Sequence, residues 1–280
     1  MTRFKPFSLN IGGRLVEYRQ PAVMGIVNFT NDSFFSGSRV DAESVGRRAA
    51  QLVAEGADML DLGACSTRPG AEIVEEALET ERLCAGVRAI RDAVGNDVPL
   101  SVDTFRSGAA RAAIEAGADI VNDISGGDLD PAMFSTVAEL KVPYILMHMR
   151  GTPATMQTMT DYGDVTTEVV ADLSRKLGRL EELGVADVIV DPGFGFAKTL
   201  EQNYRMLAEL EQFALLGRPL LAGMSRKSMF TKLLGISADE ALVPTAVAGA
   251  LALERGAAIL RVHDPREAAQ TIAMINLINI

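Results

Sequence analysis

Tryptophan is absent, cysteine and histidine occur twice each, and the aromatic share is only 5%. A core without tryptophan must be mostly aliphatic, and 48% hydrophobic residues supply it. Two cysteines, Cys65 and Cys84, are too few for a disulfide framework or a thiolate metal cage, and they fit a reducing, cytoplasmic setting. A basic excess is lacking as well. The formal net charge of −10 argues against general nucleic-acid binding, although a local field can still favour an anion. No segment approaches the roughly 18 uncharged apolar residues of a membrane helix, so no membrane partner is expected. The first residues, MTRFKPFSLN, have no long apolar run, and no signal peptide is expected.

What the chain does have is a recurring pattern of apolar run, polar cluster and helix. Residues 1–20 read as a hairpin cap, with Phe7–Asn10 and Leu15–Tyr18 joined across Gly12-Gly13. Eight apolar runs follow, and each stops at polar residues. Val23–Val27 stops at Asn28. Met59–Leu62 stops at Gly63 and the loop Ser66-Thr67-Arg68-Pro69-Gly70. Pro99–Val102 stops at Asp103, Asp119–Val121 at Asn122 and Asp123, and Tyr144–Met147 at His148. Val188–Val190 stops at Asp191, Pro219–Gly223 at Ser225-Arg226-Lys227, and Ile259–Val262 at His263 and Asp264. Helical spacing follows each run, over about 41–55, 74–94, 107–116, from 131, 165–183, from 200, 228–234 with 238–254, and from 266. No composition break divides the 280 residues, so they read as a single domain. Eight βα units predict an α/β fold, a (β/α)8 TIM barrel with a short N-terminal β-hairpin. A doubly wound sheet is the alternative. The barrel is preferred because polar residues at every strand's carboxyl end would converge on one face.

Any one polar strand end is matched by a plain reading, a strand leaving for solvent. Eight in register are harder to dismiss. Alternation places Arg261 and His263 on one side, where two donors favour an anion such as phosphate. Ser225-Arg226-Lys227 precedes a helix, whose backbone N–H groups would add to that potential. Asp103, Asn122 and Asp191 match a flat heterocycle with an amino-pyrimidinone edge, because carboxylates accept from N–H donors and an amide both donates and accepts. Asp61 reads as structural. Gly193-Phe194-Gly195-Phe196-Ala197-Lys198-Thr199 looks like a phosphate loop, but it lacks the glycine directly before lysine and the third glycine of a dinucleotide fingerprint. Lys198 therefore reads as a surface or supporting residue. Met147, His148 and Met149 read as apolar wall rather than a soft-metal box.

Taken together and in order, NFTNDSF, STRPG, SVDTF, NDISGG, LMHMRGTPATMQ, DPGFGFAKT, GMSRKS and RVHD resemble the dihydropteroate synthase family of pterin-binding enzymes. The resemblance runs from about residue 21 to 280. It implies a transferase that joins 6-hydroxymethyl-7,8-dihydropterin diphosphate to 4-aminobenzoate and releases pyrophosphate. It also implies Mg2+ as cofactor, a homodimer, a place in folate biosynthesis and a sulfonamide target. By position, Asp103, Asn122, Asp191 and Lys227 match residues that hold the pterin. Met147 and Phe196 match apolar contacts near the ring. Arg261 matches the residue stacked near the pterin, and Arg261, His263, Arg68 and Asn28 match the diphosphate side, with Asn28 towards the metal. Thr67, Arg68, Pro69 and Ser225 match positions around the aminobenzoate. The catalytic set implied is Asp103, Lys227, Arg261 and His263.

Three places depart from the family pattern: Asn31 stands where proline is common, Ser36 where aspartate is common, and Ala64-Cys65 where the pattern carries glutamate. None touches the pterin set. Two other readings remain at this level, a methyltetrahydrofolate-type methyltransferase barrel and a non-catalytic pterin-binding paralogue.

Overall fold

The computed structural model describes residues 4–29, 38–64 and 74–278. β1 (Phe7–Ile11) and β2 (Arg14–Tyr18) form an antiparallel hairpin with Phe7 opposite Tyr18 and Leu9 opposite Val16. The rings of Phe7 and Tyr18 stack at 4.7 Å between centroids. Eight strands then alternate with helices. In chain order they run β3 (Ala22–Asn28), α1 (Ser38–Ala54), β4 (Met59–Gly63), α2 (Glu76–Val94), β5 (Leu100–Asp103), α3 (Ser107–Glu115), β6 (Ile120–Asp123) and α4 (Met133–Leu140). The second half runs β7 (Tyr144–Met147), α5 (Val165–Glu182), β8 (Val188–Asp191), α6 (Leu200–Ala208), β9 (Leu221–Ala222), α7 (Ser228–Leu234), α8 (Leu242–Glu254), β10 (Ile259–Val262) and α9 (Pro265–Ile278).

The parallel sheet has the order β8-β7-β6-β5-β4-β3-β10-β9. A parallel bridge between Val190 and Leu220 joins its two ends, so the strands close into the expected barrel rather than a doubly wound sheet. Strand periodicity then separates two layers inside the ring. Met24, Met59, Ile120, Ile145, Ile189, Leu221 and Ile259 form one buried cluster with Leu9, Ile11 and Tyr18. The hairpin therefore plugs the amino end of the barrel, where each fully buried Leu or Ile is worth about 1.5–3 kcal/mol. Intervening residues such as Val23, Leu60, Val102, Val121 and Leu146 point outward and pack against the helices. Two positions further along the inward face of the same strands come Asp61, Asn122, Met147, Asp191 and Arg261. The step from apolar to polar along a period of two delivers the candidate site residues to one end of the barrel.

Helix boundaries depart from the sequence expectation where side chains cap the chain. α4 starts at Met133 instead of Pro131, because Asp130 Oδ1 accepts from Ala132 N (2.9 Å) and Asp130 O from Met133 N (3.0 Å). α8 starts at Leu242 instead of Ala238, after a turn in which Ser237 N and Oγ donate to Glu240 Oε2 (2.9 and 2.8 Å). Among the described residues no helix is long and apolar enough to cross a membrane.

Candidate active site

A buried carboxylate lies at the centre of the polar layer. Asp61, fully buried on β4, takes the Arg261 guanidinium Nε from β10 (2.6 Å) and Asn122 Nδ2 from β6 (3.0 Å) on a single oxygen, Oδ2. Arg261 Nη2 also donates to Asp103 Oδ2 on β5 (2.9 Å). Four strands are thus tied by one chain of charge-assisted bonds. Asp61, read as structural from the sequence, thus stands at the centre of the bonds that join Arg261 and Asn122. Its partners stand 61 and 200 positions away in sequence, so no local pattern could name them.

The charge states follow from the surroundings. The Asp103 side chain is 12% exposed, and burial raises its pKa to about 7, with Arg261 pulling it down and Asp61, Glu79 and Asp123 pushing it up. Burial works against the charge on Arg261, but Asp61 and Asp103 outweigh it and raise its pKa. Behind Asp103, Thr104 Oγ1 donates to buried Glu79 (2.6 Å), which also pairs with Arg106.

The second half of the site joins Asp191, Lys227 and the loop after β8. Gly193 N donates to Asp191 Oδ1 (2.8 Å). Lys227 Nζ donates to Phe194 O (2.6 Å) and lies 4.7 Å from the centroid of the Phe196 ring. Burial lowers the Lys227 pKa to about 8, Asp191 works against that fall, and Arg261 adds to it. Burial raises Asp191, and Lys227 offsets part of the rise. Gly223 borders both groups: a side-chain carbon there would be in ordinary contact with Asp191 Oδ2 (3.5 Å) and Lys227 Nζ (3.9 Å). Phe196 and Met147 share one apolar wall with Phe105, Ile124 and Met149.

Lys198 is not on the surface. It is buried under this loop, with Nζ at 3.1 Å from His148 Nδ1, 3.0 Å from Gly193 O and 3.0 Å from Phe196 O. Burial brings its pKa down to about 7 and holds His148 well below the ordinary histidine value, so His148 is a neutral imidazole. The nearest sequence signal for Lys198 was its position two residues after Phe196 in a loop bearing two glycines.

On the remaining side, Ser225 Oγ and His263 Nδ1 stand 2.9 Å apart. Arg226 does not join them: its guanidinium holds both oxygens of Asp264 (2.8 Å each) and Ala238 O (2.9 Å). The N–H groups of Arg226 and Lys227 are also occupied, by Thr245 Oγ1 (3.0 Å) and Met224 O (3.1 Å). Asn28 ends β3, exposed, and its Oδ1 lies on the same side of Gly63 as Asp103 Oδ2, at 3.9 and 4.0 Å from where a Gly63 side chain would begin. Thr67, Arg68 and Pro69, together with Asn31, Ser36 and Cys65, lie outside the described residues.

Comparison with known proteins agrees with this geometry. The family model described as "Pterin binding enzyme" matches residues 24–263. A dihydropteroate synthase of Synechocystis is 42% identical over 279 residues, covering 96% of this chain and 94% of that protein. The solved Xanthomonas albilineans dihydropteroate synthase with 4-aminobenzoic acid superposes with a TM-score of 0.89 at 36% identity, covering 97% of both chains. A Yersinia pestis dihydropteroate synthase in a sulfonamide drug complex gives a TM-score of 0.90 at 34% identity, covering 97% of this chain and 99% of that one.

Proposed function

We infer the reaction from one premise: the chain belongs to the dihydropteroate synthase family of pterin-binding enzymes. It is a transferase of folate biosynthesis that joins 6-hydroxymethyl-7,8-dihydropterin diphosphate to 4-aminobenzoate, giving 7,8-dihydropteroate and pyrophosphate. The observation that carries this reading is the convergence of Asp103, Asn122, Asp191, Lys227 and Arg261 at the carboxyl end of one barrel, linked through Asp61 and the loop after β8.

The side chains support a dissociative course. Asn122 offers an amide and Asp191 a carboxylate to the amino-pyrimidinone edge of the pterin, and Lys227 supplies a donor. Phe196 and Met147 give the ring an apolar wall. The carbon–oxygen bond to the diphosphate breaks and its electron pair leaves with pyrophosphate. The methylene cation left behind is spread into the electron-rich dihydropterin. An ionised Asp103 stabilises that cation. The arylamine nitrogen, unprotonated at neutral pH, forms the new carbon–nitrogen bond and then loses its proton. No strong general base is required, so the protein mainly positions and stabilises. His263 and Arg261 are assigned to the diphosphate side, with Ser225 toward the aminobenzoate.

Mg2+ fits the one donor assigned to it. Asn28 presents a hard carboxamide oxygen, and among the described residues no group of three His, Cys, Asp or Glu could hold a metal. Mg2+ commonly takes few protein ligands and completes its shell with water and substrate phosphates. Held at Asn28, it would spread the charge of the leaving diphosphate.

A homodimer is supported by the outer face of α8, where Val243, Val247 and Leu251 repeat every four residues and stay 70%, 56% and 41% exposed. Two cysteines in 280 residues support a cytoplasmic setting. The test of the reaction is to mix purified protein with the dihydropterin diphosphate, 4-aminobenzoate and Mg2+ and to measure pyrophosphate. Release that depends on both substrates is expected. Pterin binding without release would favour a non-catalytic binding protein instead.

A further inference from the structure

We propose that Asp61 is a positioning residue for the reaction, a buried carboxylate clamp that fixes Arg261 and Asn122 in their working orientations. The proposal rests on the transferase reading above. The geometry is specific. One oxygen, Oδ2, accepts from Arg261 Nε at 2.6 Å and from Asn122 Nδ2 at 3.0 Å. The other oxygen, Oδ1, is buried and has no hydrogen-bond partner among the described residues. A carboxylate kept only for stability would have both oxygens satisfied, since a bare buried charge is costly. Here all the directed bonding of the side chain goes to two residues of the pterin set, on the strands two places to either side of β4.

The consequence for Arg261 is geometric. A guanidinium on a long flexible stem can adopt many poses. Nε and Nη2 both lie 2.6 Å from Asp61 Oδ2, and in that pose Nη2 also reaches Asp103 Oδ2 at 2.9 Å. Asn122 is held in the same way: with Nδ2 donating to Asp61, its carbonyl oxygen is turned to the opposite side, and the amide cannot flip without losing the bond. The clamp also sets a charge balance. Asp103 faces Arg261 from β10, Asp61 from β4, Glu79 from α2, Asp123 from β6 and Lys227 from the turn before α7. Removing the clamp takes away the Asp61 repulsion but also frees Arg261, whose attraction is the larger effect on Asp103, so Asp103 ionises less easily.

The experiment compares wild type with Asp61→Asn in the pyrophosphate-release assay across pH. For Asp61→Asn, kcat/KM for the dihydropterin diphosphate is expected to fall by roughly tenfold to a hundredfold, the scale of a small misplacement of reacting groups. The acidic limb of its kcat/KM profile is expected to move to higher pH as Arg261 comes away from Asp103. The ionisation of the substrate is common to both proteins and cancels in the comparison. A fall with an unmoved limb, or with a limb moved to lower pH, would reduce Asp61 to a structural role and overturn the proposal, as would unchanged kcat/KM. Should Asp61→Asn not fold, the wild-type protein decides. Its Arg261 Nε–H resonance, assigned by its loss in Arg261→Lys, is expected to exchange slowly with water, and exchange as fast as an exposed arginine overturns the clamp. A wild type that releases no pyrophosphate refutes the transferase reading instead, and the exchange measurement still reports on the clamp.

Discussion

Gly193→Ala perturbs the loop that carries the pterin side of the site, and Gly217→Ala supplies its control. Both glycines have positive φ, +72° and +65°. An L-residue in that region costs about 1–2 kcal/mol. At Gly217 nothing lies within 4 Å of an added side-chain carbon, so that penalty is all the variant should show. At Gly193 the same carbon would fall 2.0 Å from His148 O, where real ones keep at least 3.0 Å. The backbone must move by about 1 Å, and forced overpacking of this kind adds about 1–3 kcal/mol. Gly193→Ala is therefore expected to lose about 2–5 kcal/mol in urea unfolding. The shift is transmitted to function, because Gly193 N holds Asp191 and Gly193 O accepts from Phe196 N and Lys198 Nζ. kcat/KM should fall by up to about a hundredfold, and Gly217→Ala should leave it alone. Equal stability losses in the two variants, or a fully active Gly193→Ala, would refute the reasoning.

Other expectations follow from the charge states and the surface. Burial lowers Lys227 to about 8, so kcat/KM should decline on a basic limb near that pH; Lys227→Arg, which stays charged, should abolish the limb while raising KM. Lys198 sits at about 7 in the fold against 10.5 as the reference, so across that window the unfolded chain binds a proton that the native state does not, and stability rises with pH. Urea unfolding at several pH values should show that rise in wild type and a flatter curve in Lys198→Met. Val247→Asp, on the exposed stripe of α8, should convert a dimer to a monomer in sedimentation velocity, and an unchanged sedimentation coefficient would remove α8 from the interface.

The barrel was legible because its evidence is local. Each apolar run sits on one strand, and the polar residue that ends it sits at the carboxyl end, so the strand of Asp103 and the strand of Asp191 could be placed without any tertiary knowledge. β9 shrank from an expected five residues to Leu221–Ala222, because Pro219 has no N–H and β10 pairs with only two of its residues. The site was legible as a set of residues but not as a network. Asp61 looked like a structural carboxylate because its meaning lies in Arg261 and Asn122, far along the chain. For Lys198 the sequence left surface and supporting roles open, and only the folded loop shows that Gly193 O, Phe196 O and His148 Nδ1 converge on it. No local pattern shows that Arg226, in the turn before α7, holds Asp264 with its guanidinium. The STRPG motif helped to identify the family, while its loop lies beyond the described residues, so among the described residues Ser225 stands for the aminobenzoate side, and Asn28, Arg261 and His263 for the diphosphate side.

The most direct measurement is a crystal structure of the protein with dihydropterin and 4-aminobenzoate bound. The pterin edge should lie within hydrogen-bond reach of Asn122, Asp191 and Lys227, against Phe196, with Arg261 still held by Asp61. A pterin seated away from these residues, or Arg261 swung free of Asp61 with Asn122 unmoved and the ring still bound, would contradict the account of the site.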